Sequence, residues 1–337
     1  MHYRLRVGHV VTFAAPDPSR GHARDQPASG RLCAEALVAL FCLSSQPLSQ
    51  PISRERRAVA LGYRVALFRR LEKLRRLLRW RIASSTALPV WWHVGRPNFG
   101  DDINPSFFQR LHGGPVRFAT DRRRPHILGA GSILEHSLPT SVVCGSGLLQ
   151  PPRGPVAGAE FVAVRGGLSA AACGASPGVL LGDPLVLINT FVARSRPARR
   201  YGFVPHVTSV TRWRRLACGR HFIIDPAWDP WRTIAEIAAC EVVFSQSLHG
   251  LIVADAFGIP NVWVVPSDTM VGGCFKFEDY FSTLESGKLA VPEGPDLFLA
   301  PEQYETHVGQ YRFCKHSYRE SLADACGRSG VTRYRKL

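Results

Sequence analysis

Residues 242–257 read Val-Val-Phe-Ser-Gln-Ser-Leu-His-Gly-Leu-Ile-Val-Ala-Asp-Ala-Phe. Val242, Val243 and Phe244 make a short apolar strand of the kind buried in a parallel sheet. Small polar residues then turn the chain into an apolar helix over His249–Phe257, with Ser247 placed to cap it. A helix that starts directly after such a strand offers free N–H groups and the positive end of its dipole to an anion. Ser245 and Ser247 add hydroxyl donors, Gly250 lets a ligand approach the backbone, and His249 supplies a charge or a proton. The same residues also describe an ordinary capped helix with a core histidine, so the segment gains chemical meaning only from its neighbours.

Working outward, the same strand–loop–helix texture recurs. Pro89–Val94 predicts a strand, followed by the loop Gly95–Gly100 and a helix over Asp101–Leu111. His126–Leu128, Ser141–Cys144, Phe161–Val164 and Val179–Leu181 predict further strands ending in Gly- or Asp-rich loops. A second set comprises Tyr201–Val204, Phe222–Ile224, Val242–Phe244 and Asn261–Val265, with a helix over Trp231–Ala239. The alternation predicts an α/β protein of two Rossmann-like lobes. The Pro/Arg-rich stretch Arg194–Arg200 marks the junction, giving lobes over 85–195 and 196–337. In open parallel sheets ligands bind at the carboxyl ends of the strands.

Residues 1–84 differ. They hold 16 of the 42 Lys/Arg but only 5 of the 26 Asp/Glu, so much of the net charge of +16 belongs to this extension. Prolines and glycines break up 1–53, which reads as loosely packed. Leu67, Leu71, Leu74 and Leu78 then recur at helical spacing among arginines, predicting a basic amphipathic helix over 54–82 that packs on the core or touches an anionic membrane surface. The basic balance is therefore no argument for nucleic-acid binding by the core. No apolar run reaches the ~18 residues of a membrane helix. Nine dispersed cysteines without a C-x-x-C pair read as reduced thiols in a cytoplasm, and no Cys/His cluster has metal-ligand spacing.

Other candidates sit at strand ends. Arg165 follows Phe161–Val164 and offers a planar fork to a carboxylate or phosphate. His206 follows Tyr201–Val204. Asp101 and Asp102 either cap a helix or supply an acid/base. Asp183 and Asp225 read as turn-formers before proline. There is no complete dinucleotide fingerprint and no P-loop.

Read in order, Asn98–Pro105 (NFGDDINP), Ile127–Leu134 (ILGAGSIL), Val164–Ser169 (VRGGLS), Leu181–Pro184 (LGDP), Val204–His206 (VPH), Ile224–Pro226 (IDP), Ser245–Pro260 (SQSLHGLIVADAFGIP) and Phe275–Phe281 (FKFEDYF) resemble the polysaccharide pyruvyl transferase family, in its exopolysaccharide ketal-forming branch. The resemblance covers roughly 88–290. It implies a two-lobed fold similar to GT-B glycosyltransferases. It also implies transfer of a pyruvyl group from phosphoenolpyruvate, as donor substrate with no cofactor, to a glycan acceptor, free or lipid-linked. On this basis Asp101 and His249 are the expected catalytic residues. Arg165, His206, Ser245, Ser247, Gly250 and Lys276 are the expected donor-binding residues. Ser247 stands where many relatives carry arginine, so another cation must serve the phosphate. The expected location is the cytoplasm, at the inner face of the membrane. Two other readings remain: a GT-B glycosyltransferase using a nucleotide sugar, with Glu278 or Asp279 recognising it, and a non-enzymatic protein that binds membranes or polyanions.

Overall fold

The computed structural model describes residues 71–331 except 82, 83, 85, 157, 195 and 266–269. Contacts divide the chain at Arg69–Arg70, and the described residues all belong to the second part.

Two parallel sheets form the frame. The first contains β1 (Leu88–Trp91), β2 (Val116–Phe118), β3 (His126–Leu128), β4 (Ser141–Ser146), β5 (Glu160–Val164) and β6 (Leu180–Leu181), in the order β2-β1-β3-β4-β5-β6. The second contains β7 (Arg199–Val204), β8 (Phe222–Ile223), β9 (Cys240–Ser245), β10 (Asn261–Val264) and β11 (Ala290–Val291), in the order β11-β10-β9-β7-β8. Every pairing is parallel. Parallel neighbours require crossovers that cover both faces of a sheet, which is why the central strands carry apolar stretches such as Val142–Cys144 and Val242–Phe244. In the second sheet Phe203 lies opposite Phe244, and the two rings stack with centroids 4.9 Å apart.

The helices are α1 (71–81), α2 (Phe99–Asp102), α3 (Asn104–His112), α4 (Gly167–Ala172), α5 (Val210–Ala217), α6 (Pro230–Ala238), α7 (Leu248–Ala256), α8 (Phe275–Phe281), α9 (Asp296–Leu299) and α10 (Lys315–Val331). All nine residues of α7 are buried, so this helix is packed on every side, His249 and Asp255 included. The helix expected over Asp101–Leu111 is split into α2 and α3. Pro105, in the first turn of α3, has no N–H to continue the earlier helix, and the Asp101 carbonyl accepts instead from the Asn104 side chain at 3.0 Å. Helix α10 follows the second sheet in sequence but packs against the first. The Tyr318 hydroxyl donates to the Gly182 carbonyl just after β6, while Leu322, Ala325 and Cys326 are buried.

The basic helix expected over 54–82 is described only within 71–81; residues 1–70 lie outside the described part. Leu77 is buried there, whereas Leu71, Leu74 and Leu78 are 56%, 48% and 50% exposed. Among the described residues no helix is long and apolar enough to cross a membrane.

Candidate functional site

The carboxyl ends of β1, β3, β7 and β9 meet around a cavity of about 270 Å³ whose lining includes Asp101, Ser132, His206, Ser247, His249 and Lys276. Five of the eight residues expected from the sequence are thus brought together. Arg165, Ser245 and Gly250 do not line it.

The loop Asn98–Asp102 divides two adjacent carboxylates. The Asn98 side-chain amide donates to Asp101 Oδ2 at 3.0 Å, and the Asn98 backbone N–H donates to Asp102 Oδ2 at 3.2 Å. Asp102 is further engaged by Arg76 at 2.7 Å, whereas Asp101 faces the cavity. Burial, reinforced by the neighbouring Asp102 charge, raises the Asp101 carboxyl to about 7, against the opposing pull of Asn98, Lys276 and Arg76. A carboxyl titrating near neutrality is equipped to exchange a proton with a bound ligand. Asn104 fixes this loop against the Gly129–Gly131 turn. Its side chain donates to the Ala130 carbonyl and accepts from the Ala130 N–H, at 3.0 and 2.8 Å.

His249 lies in the first turn of α7, over the backbone of α2. A Cβ added at Gly100 would fall 1.9 Å from His249 Nδ1, so the imidazole occupies the space that a side chain at position 100 would need. On the other side of the ring, Nε2 stands 3.7 Å from Asp183 Oδ2, too far for a hydrogen bond. Both atoms are buried and otherwise unpartnered. Burial, with Lys276 and Arg165 adding to it, lowers His249 to about 3. Burial also raises Asp183 to about 7. The two groups face each other with charge disfavoured on both. Asp183 is a turn-former as expected, its Oδ1 accepting from the Leu185 N–H at 2.9 Å, but its second oxygen belongs to the site. Burial lowers His206 to about 4, helped by Lys276 and Arg96. Both histidines are therefore neutral at pH 7. The cation of the cavity is Lys276, itself lowered to about 8 by burial and Arg165. Of the two roles expected of His249, a charge or a proton, burial disfavours the charge.

The turn after β9 is built differently from its expected form. Ser247 makes no side-chain cap hydrogen bond and lines the cavity instead. Ser245 is wholly buried, donating to the Ser247 carbonyl at 2.7 Å and accepting from the Ser247 N–H at 3.1 Å. It shapes the turn rather than meeting a ligand. At Gly250 a Cβ would lie 2.3 Å from Ser245 Oγ. That glycine admits the serine of its own chain, not a ligand.

Arg165 is fully buried. Its guanidinium donates to Asp279 at 2.9 Å, to Ser132 Oγ at 2.8 Å and to the Leu148 carbonyl. Asp279 also accepts from the Ser169 N–H and hydroxyl, each at 2.7 Å. The pair ties α8 to the end of β5 and touches the cavity lining through Ser132. Asp279 is therefore not available to recognise a nucleotide, and Glu278 is exposed. Sequence reasoning gave no role to Asn98, Gly100, Ser132 or Asp183. The first two stand in the Asn98–Asp102 motif, where a glycine closing the expected loop just before the helix was the available signal. Ser132 follows a glycine turn at a strand end, and Asp183 was hidden by a sufficient local explanation.

Residues 156–268 match the polysaccharide pyruvyl transferase family. The chain is 30% identical over 209 residues to the succinoglycan biosynthesis protein ExoV of Rhizobium meliloti (strain 1021), covering 58% of this chain and 64% of that protein. It is 31% identical over 209 residues to the uncharacterized protein L143 of Acanthamoeba polyphaga mimivirus, covering 57% of this chain and 73% of that one. The matched region thus spans just under two thirds of the first relative's length. No solved structure gave a significant match.

Proposed function

We propose, from the match of residues 156–268 to the polysaccharide pyruvyl transferase family and the similarity to ExoV, that the chain transfers a pyruvyl group from phosphoenolpyruvate to two hydroxyls of a sugar in an exopolysaccharide or other surface glycan, forming a cyclic ketal and releasing phosphate. One observation carries this reading. A carboxyl poised near neutrality, Asp101, shares a single small cavity with the Lys276 cation and the start of α7.

On this reading Lys276, the Ser247 hydroxyl and the N–H groups of Leu248 and His249 hold the donor phosphate. The neutral His206 and His249 rings offer N–H donors to the same anion. Protonated Asp101 delivers its proton to the methylene carbon, which becomes the methyl group, and the ketal carbon takes on oxocarbenium character. One sugar hydroxyl adds to that carbon and its proton restores Asp101. The C–O bond to phosphate then breaks with its electron pair going to phosphate, the second hydroxyl closes the ring, and its proton leaves on the phosphate. The two-lobed frame would then be a GT-B-like arrangement. The enzyme would work in the cytoplasm at the inner membrane face, where exposed Leu71, Leu74 and Leu78 lie among basic residues of α1 and suit an anionic surface.

The test is phosphate release from phosphoenolpyruvate with free and lipid-linked oligosaccharide acceptors. Acceptor-dependent release that is lost in Asp101→Asn is expected. No release with any acceptor, together with thermal stabilisation by a nucleotide sugar, would overturn the proposal.

A further inference from the structure

A second cavity, of about 470 Å³, opens on the other side of α2. Its size is that of a ligand site rather than a packing defect. Trp80, Trp92, Trp228 and Trp231 line it, four of the seven tryptophans in the chain. Two of these rings are held from outside the cavity. Arg232 lies over Trp228 at 4.1 Å and Arg110 over Trp231 at 4.0 Å, and neither arginine belongs to the lining. Trp231 Nε1 donates to Ser106 Oγ at 3.1 Å. These indoles are thus fixed before any ligand arrives, which reduces the cost of binding.

The polar part of the lining identifies the ligand class. Arg75, Arg76 and Arg79 are matched by Glu72, Asp102 and Asp229. In a chain of net charge +16, this cavity is locally balanced. A phosphate- or sulfate-rich polyanion would meet as many carboxylates as guanidinium groups. A neutral sugar fits better, because its hydroxyls both donate to carboxylates and accept from guanidinium groups, while its C–H face sits on the electron-rich face of an indole. The position ties the cavity to the first one. Asp101 lines one cavity and Asp102 the other, and the adjacent Pro226 and Ala227 are divided in the same way.

We propose that this cavity binds neutral sugar residues of the acceptor glycan, holding the chain while its reactive residue enters the cavity at Asp101. The assignment rests on the pyruvyl-transfer reading for the identity of the acceptor, but not for the chemistry of the site.

The test uses the full chain labelled with ¹⁵N-tryptophan and titrated with neutral β-1,3- and β-1,4-linked gluco-oligosaccharides of one to six residues. A heparin hexasaccharide serves as the polyanion control. The indole N–H signals of Trp228 and Trp231 should move while those of the core residues Trp213 and Trp263 stay, and affinity should rise with oligosaccharide length. Trp228→Ala should weaken binding by about tenfold and Trp228→Phe should restore most of it. Arg75→Ala, at an exposed position of α1, gives a second variant that leaves the core untouched and should weaken binding as well. Phosphate release is measured in parallel, where Trp228→Ala should raise the acceptor KM and spare kcat. Silent indoles alongside acceptor-dependent phosphate release would overturn the cavity assignment and leave the transfer reading standing. Moving indoles without phosphate release would do the reverse. A stronger response to heparin than to every neutral sugar would also overturn the assignment.

Discussion

Replacing Gly100 by alanine places a methyl group where the His249 ring now sits. The added Cβ would lie 1.9, 2.3 and 2.5 Å from Nδ1, Cγ and Cε1 of His249, and a tolerable contact begins about 1 Å farther away. Gly100 is inside α2 and has no left-handed backbone, so alanine is conformationally favoured there by about 1 kcal/mol. That gain offsets much of the roughly 1–3 kcal/mol expected from overpacking, and the fold should survive. The ring must move, because the methyl group is attached to backbone that Asn98 and Asn104 hold in place. A displacement of about 1 Å at a reacting group lowers turnover on the order of a hundredfold. The assay is acceptor-dependent phosphate release alongside thermal unfolding, in Gly100→Ala, His249→Ala and the double variant. Once His249 is truncated the methyl group has room, so the double variant should be no worse than His249→Ala alone. Full activity in Gly100→Ala would refute a role for the ring position, and losses that simply add would refute the steric link between the two residues.

Asp101 must be protonated to act as the acid, so the rate should fall as pH rises through about 7, and a pH–rate profile reports this. Its folded value lies above its unfolded one, so the native state holds the extra proton between about 4 and 7, and stability from this group declines as pH rises across that window. Asp101→Asn should therefore be stabilising at pH 8 more than at pH 5, as thermal unfolding at both values would show. Lys276→Met should raise the KM for phosphoenolpyruvate by about ten- to a hundredfold, the worth of a hydrogen bond to a charged group, as steady-state kinetics would measure. Asp279→Ala strands the Arg165 guanidinium in the interior and should cost about 3–5 kcal/mol in urea unfolding, with the donor KM of the folded fraction little changed. A selective rise in that KM at full stability would return Arg165 to the donor site.

Nine of the eleven parallel strands were legible as short apolar runs, as at Val242–Ser245, whereas β2 and β11, three and two residues long, gave no such signal. Gathering Asp101, His206, Ser247 and His249 was legible because all follow strand ends, whereas Lys276, on α8, was named only through the family resemblance. What the sequence hid was partnership across the chain. Arg165 and Asp279 are 114 residues apart, and nothing near either one announces a buried ion pair, so a strand-end arginine reads as a ligand-binding fork. Gly250 and Ser245 were misread for a related reason: their close contact is with each other, across the turn. Helix α10 does carry an apolar spacing, at Tyr318, Leu322, Ala325 and Cys326, but the small alanine and cysteine weaken it. Its docking on the first sheet is a tertiary fact that the order of elements along the chain obscures.

The position of Ser247 sharpens the question of what balances the donor's charge. With no arginine at the start of α7, the nearest cation of the cavity is Lys276, and it does two things at once. Its charge, added to burial, disfavours protonation of His206 and His249. Together with Asn98 and Arg76, it also restrains the rise of Asp101. A phosphate bound against Lys276 would reverse the first effect, since an anion in the same desolvated space favours protonated imidazole. The histidines can then gain charge only when the donor is present. A fixed arginine would hold phosphate whether or not the rest of the site were filled. On the proposed reading, a single lysine flanked by two neutral histidines and a protonated carboxyl would instead tie the full electrostatic grip to donor arrival, with the otherwise unpartnered Nε2 of His249 standing 3.7 Å from Asp183.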